Sequence, residues 1–200
     1  MEVIEQIISD IVATDRTATL WLNSLGAEYS WMDPFWQFMS EIKVWFPMYA
    51  LVAGLLIWRL GWKKGLIAVA AVALAFFCNE RVNNLIKALT ERPRPCNDEG
   101  MLTAGRRVLM QGGGFSFPSG HACNSFGFAV CSAWCLKMDK KLNWNWYAVV
   151  IILWAFTVAA SRVMVACHFI GDVTVGAITG TIMAIIWYKI AKWLCGRIKA

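Results

Sequence analysis

The stretch GLIAVAAVALAFFC, residues 65–78, runs directly into NERVNNLIK, residues 79–87, and the junction decides how the chain folds. The first part carries no charge. Together with its continuation it is long enough for one helix to cross the hydrocarbon of a bilayer. The second part holds Glu80, Arg81, Asn83, Asn84 and Lys87. Ionisable groups at the end of such a span are costly to keep there and mark functional positions. Glu80, Asn84 and Lys87 fall at i, i+4 and i+7 and share a helix face, so Glu80 and Asn84 are read as orienting Lys87 from below.

Working outward, four more runs have the length and apolarity of spans. They are about Val44–Leu60, with Arg59 placed to snorkel at its end, then Pro118–Leu136, Trp146–Val163 and Gly171–Leu194. Gly176 and Gly180 form a small-xxx-small pair that permits close helix packing. The fold class expected is an all-α polytopic membrane bundle of five to six transmembrane helices. Residues 1–42 differ. Val3, Ile4, Ile7, Ile8, Ile11 and Val12 alternate with Glu2, Glu5, Asp10 and Asp15 on a one-sided helical pattern. That pattern reads as an interfacial amphipathic segment rather than a span, with a second such helix around residues 34–39. The domain division expected is 1–42 and 43–200.

Composition agrees. The 200 residues are 58% hydrophobic, with mean hydropathy +0.52 and 12 Trp, which suits interfacial aromatic belts and excludes an ordinary soluble domain. The net charge of +6 lies in short loops beside apolar runs, with no basic stripe of a nucleic-acid module, so no nucleic-acid partner is expected. Seven cysteines include no CxxC pair, so neither a zinc site nor a redox motif is supported. Most of them sit in apolar runs as small hydrophobes; Cys96 lies in a polar loop. The acidic start, Met1–Asp15, lacks the basic region of a cleavable signal peptide.

Three clusters interrupt this apolar background: Lys87 with Arg94-Pro95, Pro118-Ser119-Gly120-His121, and Ser161-Arg162 with His168 and Asp172. Counting crossings puts all three on the same membrane face. Lys and Arg dominate the short loops of the opposite face (Arg59, Lys63, Lys64, Lys137, Lys140, Lys141) and the tail (Lys189, Lys192, Arg197, Lys199). Such loops stay cytoplasmic. A cytoplasmic C-terminus and a site facing outward, into the periplasm or the extracellular space, follow.

The residue types suit a phosphoryl group. Asp172, four residues after His168, can orient its imidazole and leave the other ring nitrogen nucleophilic. His168 is then able to attack phosphorus and form a phospho-histidine. His121 can act as general acid and then base. Ser119 and Gly120 stand at a helix start, where free amides and the helix dipole hold anions. Lys87, Arg94 and Arg162 offset charge on the phosphoryl oxygens. Arg92, Arg106 and Arg107 are read as loop charges, Arg92 with a secondary contact. No metal or other cofactor is expected, since a zinc site would need a third ligand in cationic surroundings.

Lys-x6-Arg-Pro at 87–95, Pro-Ser-Gly-His at 118–121 and Ser-Arg-x5-His-x3-Asp at 161–172 resemble the three motifs of the type 2 phosphatidic acid phosphatase superfamily, complete and in order. The resemblance implies a metal-independent membrane lipid phosphatase with a lipid phosphate as substrate. It implies His168 as nucleophile, Asp172 as its partner, His121 as acid and base, and Lys87, Arg94, Ser119, Gly120 and Arg162 as phosphate ligands. Many members carry Pro between the last His and Asp, whereas this chain has Phe169-Ile170-Gly171. Size and likeness to short bacterial members point to undecaprenyl pyrophosphate. The alternatives are a lipid A phosphatase, a phosphatidylglycerophosphate or phosphatidate phosphatase and, from another class, a non-catalytic membrane transporter or scaffold.

Overall fold

A computed structural model describes residues 2–105 and 107–198. Arg106 and Lys199 lie outside the described residues. Among the described residues eight α-helices follow in order: α1 (Glu2–Glu28), α2 (Asp33–Ser40), α3 (Phe46–Leu60), α4 (Trp62–Thr90), α5 (Glu99–Thr103), α6 (Gly120–Leu136), α7 (Asn145–Met164) and α8 (Ile170–Arg197). No strand occurs among the described residues.

Local chemistry sets the helix ends. Gly61 turns between α3 and α4 at φ +78°, and Glu91 ends α4 in the left-handed region, just before Arg92-Pro93. The hydroxyl of Ser119 caps α6 by accepting from the Ala122 amide at 3.5 Å. At the start of α8 the Asp172 carboxylate accepts from the Phe169 amide at 2.9 Å.

Helices α3, α4, α7 and α8 are long and apolar enough to cross a membrane, the first and second of them together with short flanking turns. The fifth expected span, α6, has 17 residues, a length of about 25 Å at 1.5 Å per residue. It packs against α4, α7 and α8 and fills the middle of the bundle. Its buried residues are small: Ala122, Cys123, Ser125, Gly127, Ala129, Cys131, Ser132, Ala133 and Cys135, with Leu136 at its end. Outward faces carry Leu51, Trp58, Phe77, Val150, Leu153, Phe156 and Ile182, all at least half exposed. Such a girdle is stable against lipid chains and not against water. Arg59 at the end of α3 has a partner in a neighbouring turn. It bonds Asp139 at 2.8 Å, because that acid of the α6–α7 turn lies within reach.

The glycine pair in α8 does what its spacing promised. A Cβ at Gly176 would lie 2.5 Å from the Ser119 carbonyl, and one at Gly180 would lie 2.0 Å from the Cys123 carbonyl. Helices α6 and α8 therefore touch backbone to backbone.

The N-terminal helix has two halves. Its first half exposes Val3, Ile4, Ile7, Ile8 and Ile11. Its second half packs on the bundle, where the Asn23 side-chain amide donates to the carbonyls of Arg107 and Met164. Next to it, Arg107 pairs with Asp33 of α2.

Gly180→Ala is expected to destabilise the protein by roughly 1–3 kcal/mol through overpacking. Gly54→Ala, where a Cβ meets nothing within 4 Å, is expected to be neutral. Thermal unfolding in one detergent compares the two; equal midpoints would remove the seam from the account.

Candidate active site

The three clusters converge at one end of the bundle. Lys87 comes from the last turns of α4, Arg94 from the loop after it, Gly120 and His121 from the first turn of α6, Arg162 from the last turn of α7, and His168 from the turn between α7 and α8. All six line one cavity of about 750 Å³. Its other end runs down between α3, α4 and α6, past Tyr49, Val52, Leu56, Val69, Val72, Phe76 and Phe128. The cavity is thus a cationic head joined to an apolar arm.

His168 is built in from both sides. Amides of Cys167 and His168 donate to the Arg162 carbonyl at 3.0 and 3.1 Å. Ala166 takes a left-handed backbone, φ +62°, to make this tight turn, a strained geometry typical of functional sites. The imidazole is almost wholly buried. Its Nδ1 faces Asp172 Oδ2 at 3.5 Å and the Ser116 hydroxyl at 3.4 Å. Ser116 also donates to the same carboxylate oxygen, so it bridges a gap that is long for a direct hydrogen bond. On the other side Arg94 Nη1 lies 3.0 Å from Nε2. A guanidinium only donates. The proton therefore sits on Nδ1, and the Nε2 lone pair faces the cavity. Burial, aided by the Arg162 and Arg94 charges and opposed by the Asp172 hydrogen bond, pushes the His168 pKa down to about 4.

Asp172 is fully buried. Oδ2 accepts from the Phe169 amide and Ser116, and Oδ1 accepts from Arg92 at 2.7 Å. His121 is held at Nε2 by the Ser40 carbonyl, 3.2 Å away, at the end of α2. Ser40 is in turn tied to Ser161 at 2.8 Å. Arg162 is buried, and its Nε has no partner among the described residues. Such a buried cationic donor is stable only with an anion in reach.

Several expectations need correction. Ser119 does not line the cavity: its amide donates to the Asp172 carbonyl at 2.9 Å and its hydroxyl caps α6. The amides left for an anion at this helix end are those of Gly120 and His121. Among the described residues no hydrogen bond joins Lys87 to Glu80 or Asn84, although Glu80 lines the same cavity. Glu80 accepts from Asn124, and Asn84 faces outward because that helix register turns it to the lipid side. Arg92 is no loop charge; it joins Asp172 to Asp15 and stacks 3.9 Å over the Phe169 ring. Arg107 is paired as well. Cys96 is buried despite its polar loop. Ser116, Ser40 and Asp15 carried no motif that marked them. Arg92 did leave a trace, since Arg-Pro occurs twice in succession. Among the described residues no three His, Cys, Asp or Glu side chains gather as a metal-ligand set.

A family model described as the PAP2 superfamily matches residues 64–194. The chain belongs to the PAP2 superfamily. It is an integral membrane phosphatase of that class. It is 35% identical to a lipid A 4′-phosphatase of Bacteroides thetaiotaomicron, over 98% of this chain and 83% of that protein. It is 28% identical to the bacitracin transport permease protein BcrC of Bacillus licheniformis, over 86% of this chain and 78% of that one. The crystal structure of Aquifex aeolicus LpxE superposes with a TM-score of 0.65 at 26% identity, covering 86% of this chain and 93% of that one. Against the PAP2 pattern, the departure at Gly171 has a local cause: its amide donates to Asp15 Oδ1 at 2.8 Å, a bond Pro cannot make.

With two histidines in the chain, ring ¹⁵N spectra can follow each. His168 is expected to stay neutral through pH 6.5 and to titrate near 4. The unfolded chain then binds the extra proton between those values, so stability falls as pH drops through that window. A His168 midpoint at 6.5 or above would contradict the buried, cation-flanked setting.

Proposed function

We propose that this PAP2 enzyme removes a phosphate monoester from a lipid through a phospho-histidine, and that the lipid is of the lipid A class. The observation that carries the reading is the single cavity with a cationic head and an apolar arm. A phosphate bound at the head lies against Nε2 of His168, while the tail occupies the arm between α3, α4 and α6.

In the first step the Nε2 lone pair of His168 attacks phosphorus, and the bond from phosphorus to the lipid oxygen breaks. His121, carrying a proton on each ring nitrogen while the phosphate is bound, gives the Nδ1 proton to the departing oxygen and keeps Nε2–H on the Ser40 carbonyl. Arg94 turns from Nε2 onto the phosphoryl oxygens, joined by Lys87, Arg162 and the Gly120 amide. Asp172 and Ser116 hold Nδ1–H and offset the positive charge that grows on the ring. In the second step His121 takes a proton from water, the water oxygen attacks phosphorus, and the phosphorus–nitrogen bond breaks to release inorganic phosphate.

The match to a lipid A 4′-phosphatase along nearly the whole chain favours lipid A over undecaprenyl pyrophosphate. Undecaprenyl pyrophosphate is the second reading, because the unbroken apolar arm also suits a polyprenyl chain. We place the site on the outer face and the C-terminus inside, from the Lys and Arg in the opposite loops. A cysteine at Lys140 should then resist impermeant maleimide in intact cells, and ready labelling there would reverse the orientation.

Detergent-solubilised protein in EDTA is expected to release phosphate from lipid A with a higher kcat/KM than from undecaprenyl pyrophosphate or phosphatidylglycerophosphate. The reverse order would move the assignment to the preferred lipid. Binding without release from any of them would favour the transporter or scaffold reading. His168→Ala is expected to fall to background and to trap no ³²P. Asp172→Asn should lose on the order of 10⁴ in kcat, as when a histidine's carboxylate partner is neutralised elsewhere. Full activity of His168→Ala would exclude it as nucleophile. Millimolar vanadate, a trigonal-bipyramidal mimic, is expected to inhibit.

A further inference from the structure

Asp15 lies in the middle of α1, well outside the region that matches the family model. It nevertheless reaches the catalytic pair. Its Oδ2 accepts from Arg92 Nη2 at 2.7 Å, and Arg92 Nη1 donates to Asp172 Oδ1 at 2.7 Å. Its Oδ1 accepts from the Gly171 amide at 2.8 Å, in the first turn of α8 and next to Asp172. The Asp15 side chain is 13% exposed and that of Asp172 is 0% exposed. A Cβ at position 171 would sit 2.9 Å from Asp15 Oδ2, so Gly171 and Asp15 form a matched set.

We propose that Asp15 is a positioning residue for phosphoryl transfer, holding Arg92 and the first turn of α8 so that Asp172 keeps one orientation toward His168. The inference rests on the phospho-histidine reading above. The physical reason is a competition for one carboxylate. Asp172 stands 3.5 Å from His168 Nδ1, at the limit of a useful hydrogen bond. Arg92 has a planar fork suited to grip both oxygens of a single carboxylate. With Asp15 present, the fork is split between two acids and takes only Oδ1 of Asp172. Without Asp15, the guanidinium closes on Asp172 alone and draws Oδ2 away from Nδ1 and Ser116. The Gly171 amide loses its acceptor at the same time, loosening the helix start that carries Asp172. Phe169, under the Arg92 plane, fixes where the fork sits.

The test uses the full chain in detergent, with Asp15→Ala, Asp15→Asn and Asp15→Glu. Phosphate release from lipid A and ring ¹⁵N shifts of His168 are read side by side. Asp15→Ala is expected to lower kcat by about tenfold or more, the scale seen when an outer partner of a functional histidine is removed. KM should change by less than about twofold, and the His168 Nδ1 shift should move toward a weaker hydrogen bond. Asp15→Glu is expected to restore most of both. Should Asp15→Ala fail to fold, Asp15→Asn keeps an acceptor for the Gly171 amide and is expected to show the same two changes. Unchanged kcat and unchanged His168 shifts, with only a lower unfolding temperature, would overturn the proposal and leave Asp15 a tether. An inactive wild type would count against the lipid phosphatase reading alone, since the His168 shifts report on Asp15 without turnover.

Discussion

Everything at this site depends on how closely α6 approaches α8. Side-chain-free glycine at 176 and 180 lets the carbonyls of Ser119 and Cys123 rest on the α8 backbone. The Ser119 amide then reaches the Asp172 carbonyl, at 2.9 Å. That bond ties the start of one helix to the start of another. The start of α6 and the His168–Asp172 pair are therefore one rigid unit. Without van der Waals room for a Cβ, no sliding of α6 along α8 is available to separate them, and packed backbones resist such shifts in lipid as they do in water.

The second constraint is electrostatic. Lys87, Arg94 and Arg162 share a cavity with one carboxylate, Glu80, which is engaged by Asn124. Three cations cannot be desolvated together without compensation. Arg94 is stabilised by carbonyls of Gly113, Gly114 and Cys167. Arg162 leaves Nε unpartnered. The site is thus preorganised for an anion, with the donors already aimed at it, and this is the usual source of a large catalytic effect. The same burial lowers the His168 pKa, and its Nε2 lone pair accepts from Arg94 across the cavity head.

The apolar arm links the chemistry to the membrane. Its walls come from the central α6 and from α3 and α4, whose outer faces are greasy enough to sit among lipid chains. Aromatic edges of Tyr49, Phe128 and Trp154 meet in T-shaped pairs along one wall. A substrate can keep its tail in an apolar environment while its phosphate enters a polar one, so neither end is transferred into the wrong medium. N-terminal α1 and α2 then close the site face through Asp15 and Ser40, joining a segment with an exposed apolar half to the elements that carry His121 and Asp172.

Much of this was legible in the chain. Uninterrupted apolar runs reveal spans because hydrocarbon tolerates no unpaired backbone, so length and hydropathy alone define the helices. Lys87, Arg94, His121, Arg162, His168 and Asp172 stood out because charged groups in such runs need a reason to be there. The glycine spacing showed which faces can meet. Sequence could not show what the long-range bonds decide. Its Arg-Pro pair marked Arg92 for a secondary contact, but only folding showed its partners, Asp15 and Asp172, 77 and 80 residues away. Ser116 and Ser40 became partners of the two histidines, and Ser119 turned its polar atoms away from the cavity, for the same reason. Local pattern determines which segments are helical and which face is apolar. Which polar atom satisfies which other is settled only when the helices pack, because those pairings depend on distances that no spacing along the chain encodes.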